Sequence, residues 1–549
     1  MSTAKRLRPY QKQGYDDIFK AFETNDVIMF VLATGGGKTF TFTEIIRHYY
    51  NAGKRAMLIA HREELINQAW QTIAAERMIA GIIKADYPNR YELPIQVCSI
   101  QTLARRKQLP PADIIVIDEG HHVTEDNTYG RILAQYPQAK ILIVTATPYR
   151  LSGEGFGDIV AGKKTKLIIN STLRQLINEG WLVPLKYCVG SIPDLSGVPI
   201  IRGDYKEDEA KKIMELAPLV KSYQDLTPGM QGICYCINVE HSIEVAAQYN
   251  AAGIPAIHVD ANTPDEIRRE AWDKFRAGAI KVVCNVGILT EGADFPSCEF
   301  VQLARPTKSL SMYLQMVGRV SRTVAGLVDM YETPEGRRTA IQCSRKPAGV
   351  VLDNAGCWLE HGFPDDEINW EYYFGGWFKK KQDENPNMIE IPVFEYIDPA
   401  TGQSHMTKKI KELAGMILVE ITYEQKMILR GAIEISEFEK IYRFALNSPE
   451  KFKKPGFFAY YRIADFCKQK NIPMSPDLWL HIKRRLVDDI NKQVDEYLNE
   501  QKMAGNIVIP SLNKGVSEIR AKGVHNIFLS SEREAYNRRK AMEKAVQIN

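Results

Sequence analysis

Two groups of residues could do chemistry together. The first is Ala33-Thr34-Gly35-Gly36-Gly37-Lys38-Thr39, which follows the apolar run Val27–Leu32 and precedes a stretch with helical apolar periodicity. Glycines let successive backbone N–H groups converge on phosphate oxygens, and the helix N-terminus adds its dipole. Thr34, Gly35, Gly36 and Gly37 are the candidate cradle. Lys38 can reach outer phosphates, and Thr39 offers a hydroxyl to Mg²⁺. The full pattern has glycine where this chain has Leu32. A glycine-rich turn with a surface lysine is the plainer alternative, and the flanking strand and helix argue against it. The second group is Asp118-Glu119-Gly120-His121-His122, at the end of Ile114-Ile115-Val116-Ile117. Carboxylates there face the ligand crevice of an open α/β sheet. Asp118 can hold Mg²⁺ through water, and Glu119 can take a proton from an attacking water. A metal cluster on the same residues is the alternative; it lacks the i, i+4 histidines of H-E-x-x-H.

Positioning such groups takes parallel strands with helices between them. Val27–Leu32, Arg55–Ala60, Ile95–Ser99, Ile114–Ile117 and Ile141–Val144 are short, β-branched and nearly continuously apolar, as buried parallel strands are. Leu65, Ile66, Ala69, Trp70 and Ile73 would form one face of a helix between the second and third. A second run of the same kind covers about 185–355, with Gly232–Cys236, Ala256–Val259, Lys281–Asn285, Phe300–Leu303 and Val350–Leu352 as strands. One helix there is signposted by a capping box from Thr263 to Glu266, with Pro264 at its first position. Ile267, Ala271 and Phe275 should face inward, and Gly278 should close its end. The fold class is thus α/β, with two tandem parallel-sheet domains over 1–168 and 169–362. A basic, mostly helical accessory domain follows over 363–549.

Composition bounds the class. The chain has 549 residues, 45% hydrophobic and 25% charged, the ordinary globular mix. The longest apolar run, Val27–Ala33, is too short for a membrane span. Nine cysteines without a CxxC pair indicate neither a disulfide framework nor a zinc ribbon, and no structural zinc is expected. With no signal peptide visible, the chain reads as a cytoplasmic protein of a reducing compartment. Residues 401–549 hold 26 Lys/Arg against 18 Asp/Glu, whereas the first 400 hold 45 against 49. A basic tail on a near-neutral body suits a polyanion, or is merely a solvated surface.

With both motifs in hand, the chain resembles superfamily 2 helicases and translocases over roughly residues 7–362. Leu7-Arg8-Pro9-Tyr10-Gln11 looks like the family's adenine-reading segment. Ala60-His61-Arg62-Glu63-Glu64-Leu65 and Gln101-Thr102-Leu103 match strand-contacting motifs, and Thr145-Ala146-Thr147-Pro148 matches the coupling segment. Thr290-Glu291-Gly292-Ala293-Asp294-Phe295-Pro296 and Gln315-Met316-Val317-Gly318-Arg319-Val320-Ser321-Arg322 match the last two motifs. The resemblance implies two RecA-like lobes with ATP and Mg²⁺ between them. It implies that Arg8, Gln11 and Asp294 contact the nucleotide, that Glu119, Lys38, Gln315, Arg319 and Arg322 act in hydrolysis, and that His122, Thr145 and Thr147 couple it to movement. Nucleic acid is then contacted near Arg62, Gln101, Thr102 and Thr290, through its backbone and with little sequence specificity.

The D-E-x-H and T-A-T-P pairing is similar to DNA-acting branches: RadD-type repair helicases, XPB-like double-strand translocases and phage branch-migration helicases. Gln175–Pro184 and Asp353-Asn354-Ala355-Gly356 look like the RadD type, whose cysteine pairs after the second lobe are absent here. The expected function is an ATP-dependent DNA helicase or double-strand translocase in repair, recombination or fork and branch remodelling. The alternatives are an RNA-directed helicase of the same fold and an ATP-switched nucleic-acid clamp without unwinding. The last 180 residues interleave basic clusters (408–411, 451–454, 483–485, 538–540) with Phe457, Phe458, Tyr460 and Tyr461. Those rings suit stacking on single strands or simply pack a core. No acidic cluster there marks a nuclease.

Overall fold

A computed structural model of the chain describes residues 6–376, apart from isolated positions, short loops and the segment 288–297. Beyond them it describes 419–420, 438–447, 455–469 and 474–503, with brief gaps. In the first lobe β1 (Val27–Leu32), β2 (Ala56–Ala60), β3 (Ala80–Ile83), β4 (Ile95–Ser99), β5 (Ile114–Asp118), β6 (Lys140–Thr145) and β7 (Thr165–Ser171) form a parallel sheet. Its order is β3-β4-β2-β5-β6-β1-β7. All residues of β1, β2, β4 and β5 are buried, which explains their unbroken apolar sequences. The helices are α1 (Pro9–Phe22), α2 (Lys38–Asn51), α3 (Glu63–Ala75), α4 (Ile100–Leu103) and α5 (Thr128–Leu133). On α3, the expected Leu65, Ile66, Ala69 and Ile73 are buried.

Two strands carry weak sequence signals. β3 is four residues long and holds Gly81. β7 lies at the sheet edge, and its T-K-L-I-I-N-S sequence is only partly buried. Because β7 continues to Ser171, the first lobe ends there, three residues past the expected 168.

The connection is α6 (Leu173–Asn178). Thr172 Oγ1 accepts from Gln175 N–H at 3.2 Å, and Gln175 Oε1 accepts from Thr172 N–H at 2.9 Å. Then follow β8 (Leu185–Val189), the hairpin β9 (Ile200–Ile201) and β10 (Asp204–Tyr205), α7 (Glu207–Met214) and α8 (Leu219–Leu226). The second lobe continues through β11 (Gly232–Tyr235), α9 (Val239–Ala251), β12 (Ala256–Val259), α10 (Asp265–Arg276), β13 (Val282–Asn285) and β14 (Phe300–Leu303). It ends with α11 (Leu310–Val317), α12 (Pro334–Gln342), β15 (Gly349–Asp353) and α13 (Cys357–His361). The second sheet is β12-β13-β11-β14-β15-β8-β16, where β16 (Val419–Glu420) pairs antiparallel with β8.

The expected capping box on α10 does not form. Thr263 Oγ1 donates to Asp260 Oδ1 at 2.8 Å, and Pro264 becomes the cap residue. Ile267 is exposed, while Ala271 and Phe275 are buried and Gly278 takes φ +80° as expected.

The boundary near 362 also moves. α14 (Trp370–Phe374) packs on the first lobe: Phe156 N–H donates to Phe374 C=O at 2.8 Å, and the Tyr149 and Tyr373 rings lie 5.3 Å apart. The two lobes and α14 form one compact unit. A second unit holds most of the remaining chain. Its described helices include α15 (Pro455–Gln469) and α16 (Pro476–Met503), around Phe438, Tyr460, Ile463, Leu478, Ile482 and Leu486. Tyr460 is thus a core ring, whereas Tyr461 is exposed. Arg485, from one of the basic clusters, is held by buried Glu439 (Nε to Oε1 2.8 Å) and serves that core. Residues 408–411, 451–454 and 538–540 lie outside the described residues. Among the described residues no helix is long and apolar enough to cross a membrane.

Candidate nucleotide site

β5, β6 and β1 are neighbours in the first sheet. Their C-terminal ends therefore present the acidic pair, the Thr145–Thr147 turn and the glycine loop side by side. Gly35 and Gly37 adopt φ +85° and +83°, a conformation that L side chains rarely take, so the loop can turn its amides inward. Gly37 caps α2, whose first residue is Lys38. Lys38 and Thr39 thus stand on the helix turn that faces the cradle.

Lys38 Nζ lies 3.0 Å from Glu119 Oε1. Glu119 itself is held at φ +49°, in the left-handed region, between β5 and a 3-10 turn over Gly120–His122. A non-glycine residue there stores on the order of 1–3 kcal/mol of strain, which the packing around it must hold. A Cβ on Gly120 would strike Ile143, so the turn is tight against β6. Burial alone would raise the Glu119 carboxyl, but Lys38 and then His121 outweigh it and hold the group well below the usual carboxylate range. Glu119 is ionised in this state. Its second oxygen, Oε2, is buried without a hydrogen-bond partner, 3.5 Å from His121 Nδ1. Asp118, also buried, accepts the Glu119 N–H at 3.0 Å.

His121, then, is the histidine beside the carboxylate. His122, which the motif match assigns to coupling, is exposed and stacks edge-on with His61, at 4.8 Å. The two rings pack on each other at 4.1 Å, and His121 is the one whose Nδ1 lies beside Glu119.

Gln11 is buried, and both ends of its amide are engaged: Nε2 donates to Gly36 C=O at 2.9 Å, and Oε1 accepts from Arg8 N–H at 2.9 Å. Tyr10 Oη donates to the same Gly36 carbonyl at 2.9 Å. The segment therefore braces the cradle. Arg8 reaches across the lobes to Asp329, at 2.9 Å, and lies against the Trp181 ring, as does Arg337.

The second lobe closes on this site. A Cβ on Gly35 would meet Leu182 at 3.0 Å, Ser321 at 3.2 Å and Arg322 at 3.6 Å. A Cβ on Gly318 would strike Thr34. Gln315 and Arg319 are buried on the same segment, and Gln315 Nε2 has no hydrogen-bond partner. Val183 N–H donates to Ser321 C=O at 2.8 Å, Leu182 bridges Arg322, and Lys346 Nζ donates to Arg322 C=O at 2.6 Å. Thr145 Oγ1 accepts from Thr147 N–H at 3.1 Å, and Thr147 Oγ1 meets Ser311 Oγ across the lobes at 2.6 Å.

Sequence reasoning gives no site role to Leu182, which lies in the Gln175–Pro184 segment it singles out, nor to Ser311 and Lys346, because their partners belong to another lobe or loop. Gln101 is exposed, with Nε2 on His61 C=O at 3.1 Å, and the half-buried Thr102 beside it has its N–H on Ser99 Oγ. Both lie on one side of the first lobe. Arg62, Thr290 and Asp294 lie outside the described residues.

Comparison with known proteins places the chain among similar sequences. The family described as type III restriction enzyme, res subunit, matches residues 4–150, and the helicase conserved C-terminal domain matches residues 210–324. A 51.5 kDa protein of a Lactococcus phage (isolate 7-9) is 32% identical over 426 residues, covering 76% of this chain and 84% of its own. IRC3 of Saccharomyces cerevisiae, which carries the name of an ATP-dependent helicase, is 27% identical over 347 residues, 58% of this chain and 49% of its own. The EcoAI type I restriction endonuclease subunit of Escherichia coli is 24% identical over 372 residues, 58% of this chain and 44% of its own. The chain thus spans most of the phage protein and about half of the other two.

Proposed function

We propose that this chain, which belongs to superfamily 2 of the helicases and translocases, is a motor that hydrolyses ATP between its lobes to move along or separate DNA strands. The observation that carries this reading is the meeting of Ser321 and Arg322 with Gly35, on the loop that leads into Lys38. A γ-phosphoryl transition state spreads charge over its oxygens, and an arginine from the opposite lobe offsets that charge only when the lobes are closed.

The residues present fit ATP and Mg²⁺. The glycine loop is a cradle that side chains could not occupy, and Glu119 Oε2 is a buried acceptor lacking a partner. Thr39 and Asp118 would hold Mg²⁺, which when bound neutralises phosphate charge. With a phosphate in the cradle, Lys38 turns from Glu119 to the phosphate oxygens. Glu119 then loses its strongest neutralising neighbour. Burial lifts its proton affinity, and the carboxylate is free to take a proton from water. Gln315 aligns with that water, while Arg319 and Arg322 face the transferring group. Thr147 and Ser311 link the β6 end to the second lobe, so loss of the γ-phosphate is felt as lobe opening.

DNA is favoured over RNA by the D-E-x-H and T-A-T-P motifs. Backbone contacts from Arg62, Gln101, Thr102 and Thr290 would give little sequence specificity. The deciding experiment compares ATPase stimulation by duplex DNA, single-stranded DNA and RNA at one salt concentration. DNA should stimulate most. Stimulation by RNA alone would transfer the motor to RNA. ATPase without strand or triplex displacement would make it a switched clamp.

A further inference from the structure

Outside the nucleotide site, the second lobe brings three thiols together. Cys234 and Cys236 are two apart along β11 and its exit, so their side chains leave the same face. Cys284 on β13 is the direct parallel partner of Cys234. The three Sγ atoms lie within 4.8 Å of one another, and Cys234 and Cys236 are 3.9 Å apart. An ion about 2.3 Å from each of three sulfurs requires sulfur–sulfur spacings of roughly 3.8–4.0 Å. One pair is already there, and small χ1 rotations bring in the third thiol.

The surroundings are not those of thiols used as plain core filler. All three are buried, and α9 supplies polar groups beside them. The Nε2 of His241, a residue that adjoins Cys236, is buried without a hydrogen-bond partner, and its Nδ1 accepts only a long bond, 3.3 Å, from Ile237 N–H. Cys236 stands two residues before Asn238, the cap of the thirteen-residue α9, whose N-terminal partial charge favours thiolate.

We propose that Cys234, Cys236 and Cys284 form a binding site for a thiophilic d10 cation, Zn²⁺ or Cu⁺. Three sulfurs complete a Cu⁺ site. Zn²⁺ takes the same three thiolates. Each S–H bond broken on binding gives its proton to solvent. A CxC on one strand plus a cysteine on its neighbour has no CxxC signature, so strand register alone creates this site. The buried position means that the ion enters as the lobe folds.

The test uses the full-length chain, independently of any ATPase measurement. Elemental analysis of the purified protein should find about one Zn or Cu per chain. Refolding with Co²⁺ under reducing conditions should give thiolate-to-cobalt charge-transfer absorption. Cys284→Ser should abolish that band, while Cys343→Ser, at an exposed cysteine, should keep it. Refolding with Zn²⁺ and Cu⁺ in competition identifies the ion. X-ray absorption on the loaded wild type should count three sulfur neighbours, a readout that stands even if Cys284→Ser does not fold. Absence of metal both as purified and after refolding, fewer than three sulfurs, or a cobalt band surviving in Cys284→Ser overturns the site.

Discussion

Single residues carry the charge balance of the nucleotide site. Glu119 is ionised and neutralised by Lys38 at 3.0 Å, and the proposed mechanism has phosphate take the lysine from it. Glu119→Gln keeps the cradle, Lys38 and Asp118, and removes the proton acceptor. Turnover should fall by about 10²-fold or more with nucleotide affinity retained; near-normal turnover in a steady-state assay would remove Glu119 from that role. Lys346 is a second such residue. Burial lowers it from 10.5 to about 8, with Arg322 adding to the effect, while its ammonium holds the Arg322 carbonyl. Between about pH 8 and 10.5 the unfolded chain binds this proton and the folded chain does not. The folded state therefore gains stability as pH rises through that window, by up to about 3 kcal/mol from this group. Urea titrations at pH 7.5 and 9.5 should show this rise in the wild type, and Lys346→Met should flatten it. An equal rise in the variant would assign the effect elsewhere.

Elements turn these residues into a mechanism. The Trp181–Pro184 segment bridges Ser321 and Arg322, so the connection between the lobes also sets where the second-lobe arginines stand. Arg322→Ala should spare nucleotide binding yet lower DNA-stimulated kcat by about 10³-fold, with Arg322→Lys rescuing poorly because an ammonium lacks the planar fork. A kcat within a few-fold of wild type would shift the finger role to Arg319. The short α14 belongs to the motor for packing reasons: Tyr373 is buried against Tyr149, and Phe374 C=O takes the Phe156 N–H. Tyr373→Ala should cost about 3 kcal/mol in urea unfolding. A cost below 1 kcal/mol would return this segment to the C-terminal region, where a boundary at 362 places it.

At the scale of the whole chain, charge is divided unevenly. The last 149 residues hold 26 Lys/Arg against 18 Asp/Glu, although Arg485 serves an internal ion pair. Deleting residues from 377 onward, and so keeping α14, should leave nucleotide binding and weaken DNA binding. The log–log salt slope of affinity should flatten by about one unit for each phosphate that the shortened chain no longer neutralises. An unchanged slope measured by titration would mean that the basic residues face solvent or a protein.

The sequence by itself determined what is local. Continuous apolar runs fixed most of the strands, since a strand buried on both faces has no polar side to show. The glycine loop and Asp118-Glu119 could be picked out from sequence because their types and order suit the proposed phosphate chemistry. What depends on placement in space was decided by the tertiary structure. Which of the two adjacent histidines adjoins Glu119 is set by the backbone of the 3-10 turn, and it is His121. Thr263 bonds to Asp260 instead of capping α10, since the loop brings a carboxylate closer than the helix amide. The contacts of Thr147 with Ser311 and of Arg8 with Asp329 span more than 160 residues of chain, Arg322 stands where a side chain on Gly35 would meet it, and no periodicity encodes the closure of one lobe on another. The three thiols follow the same rule: Cys284 meets Cys234 through the register of two parallel strands, which side-chain pattern alone does not specify.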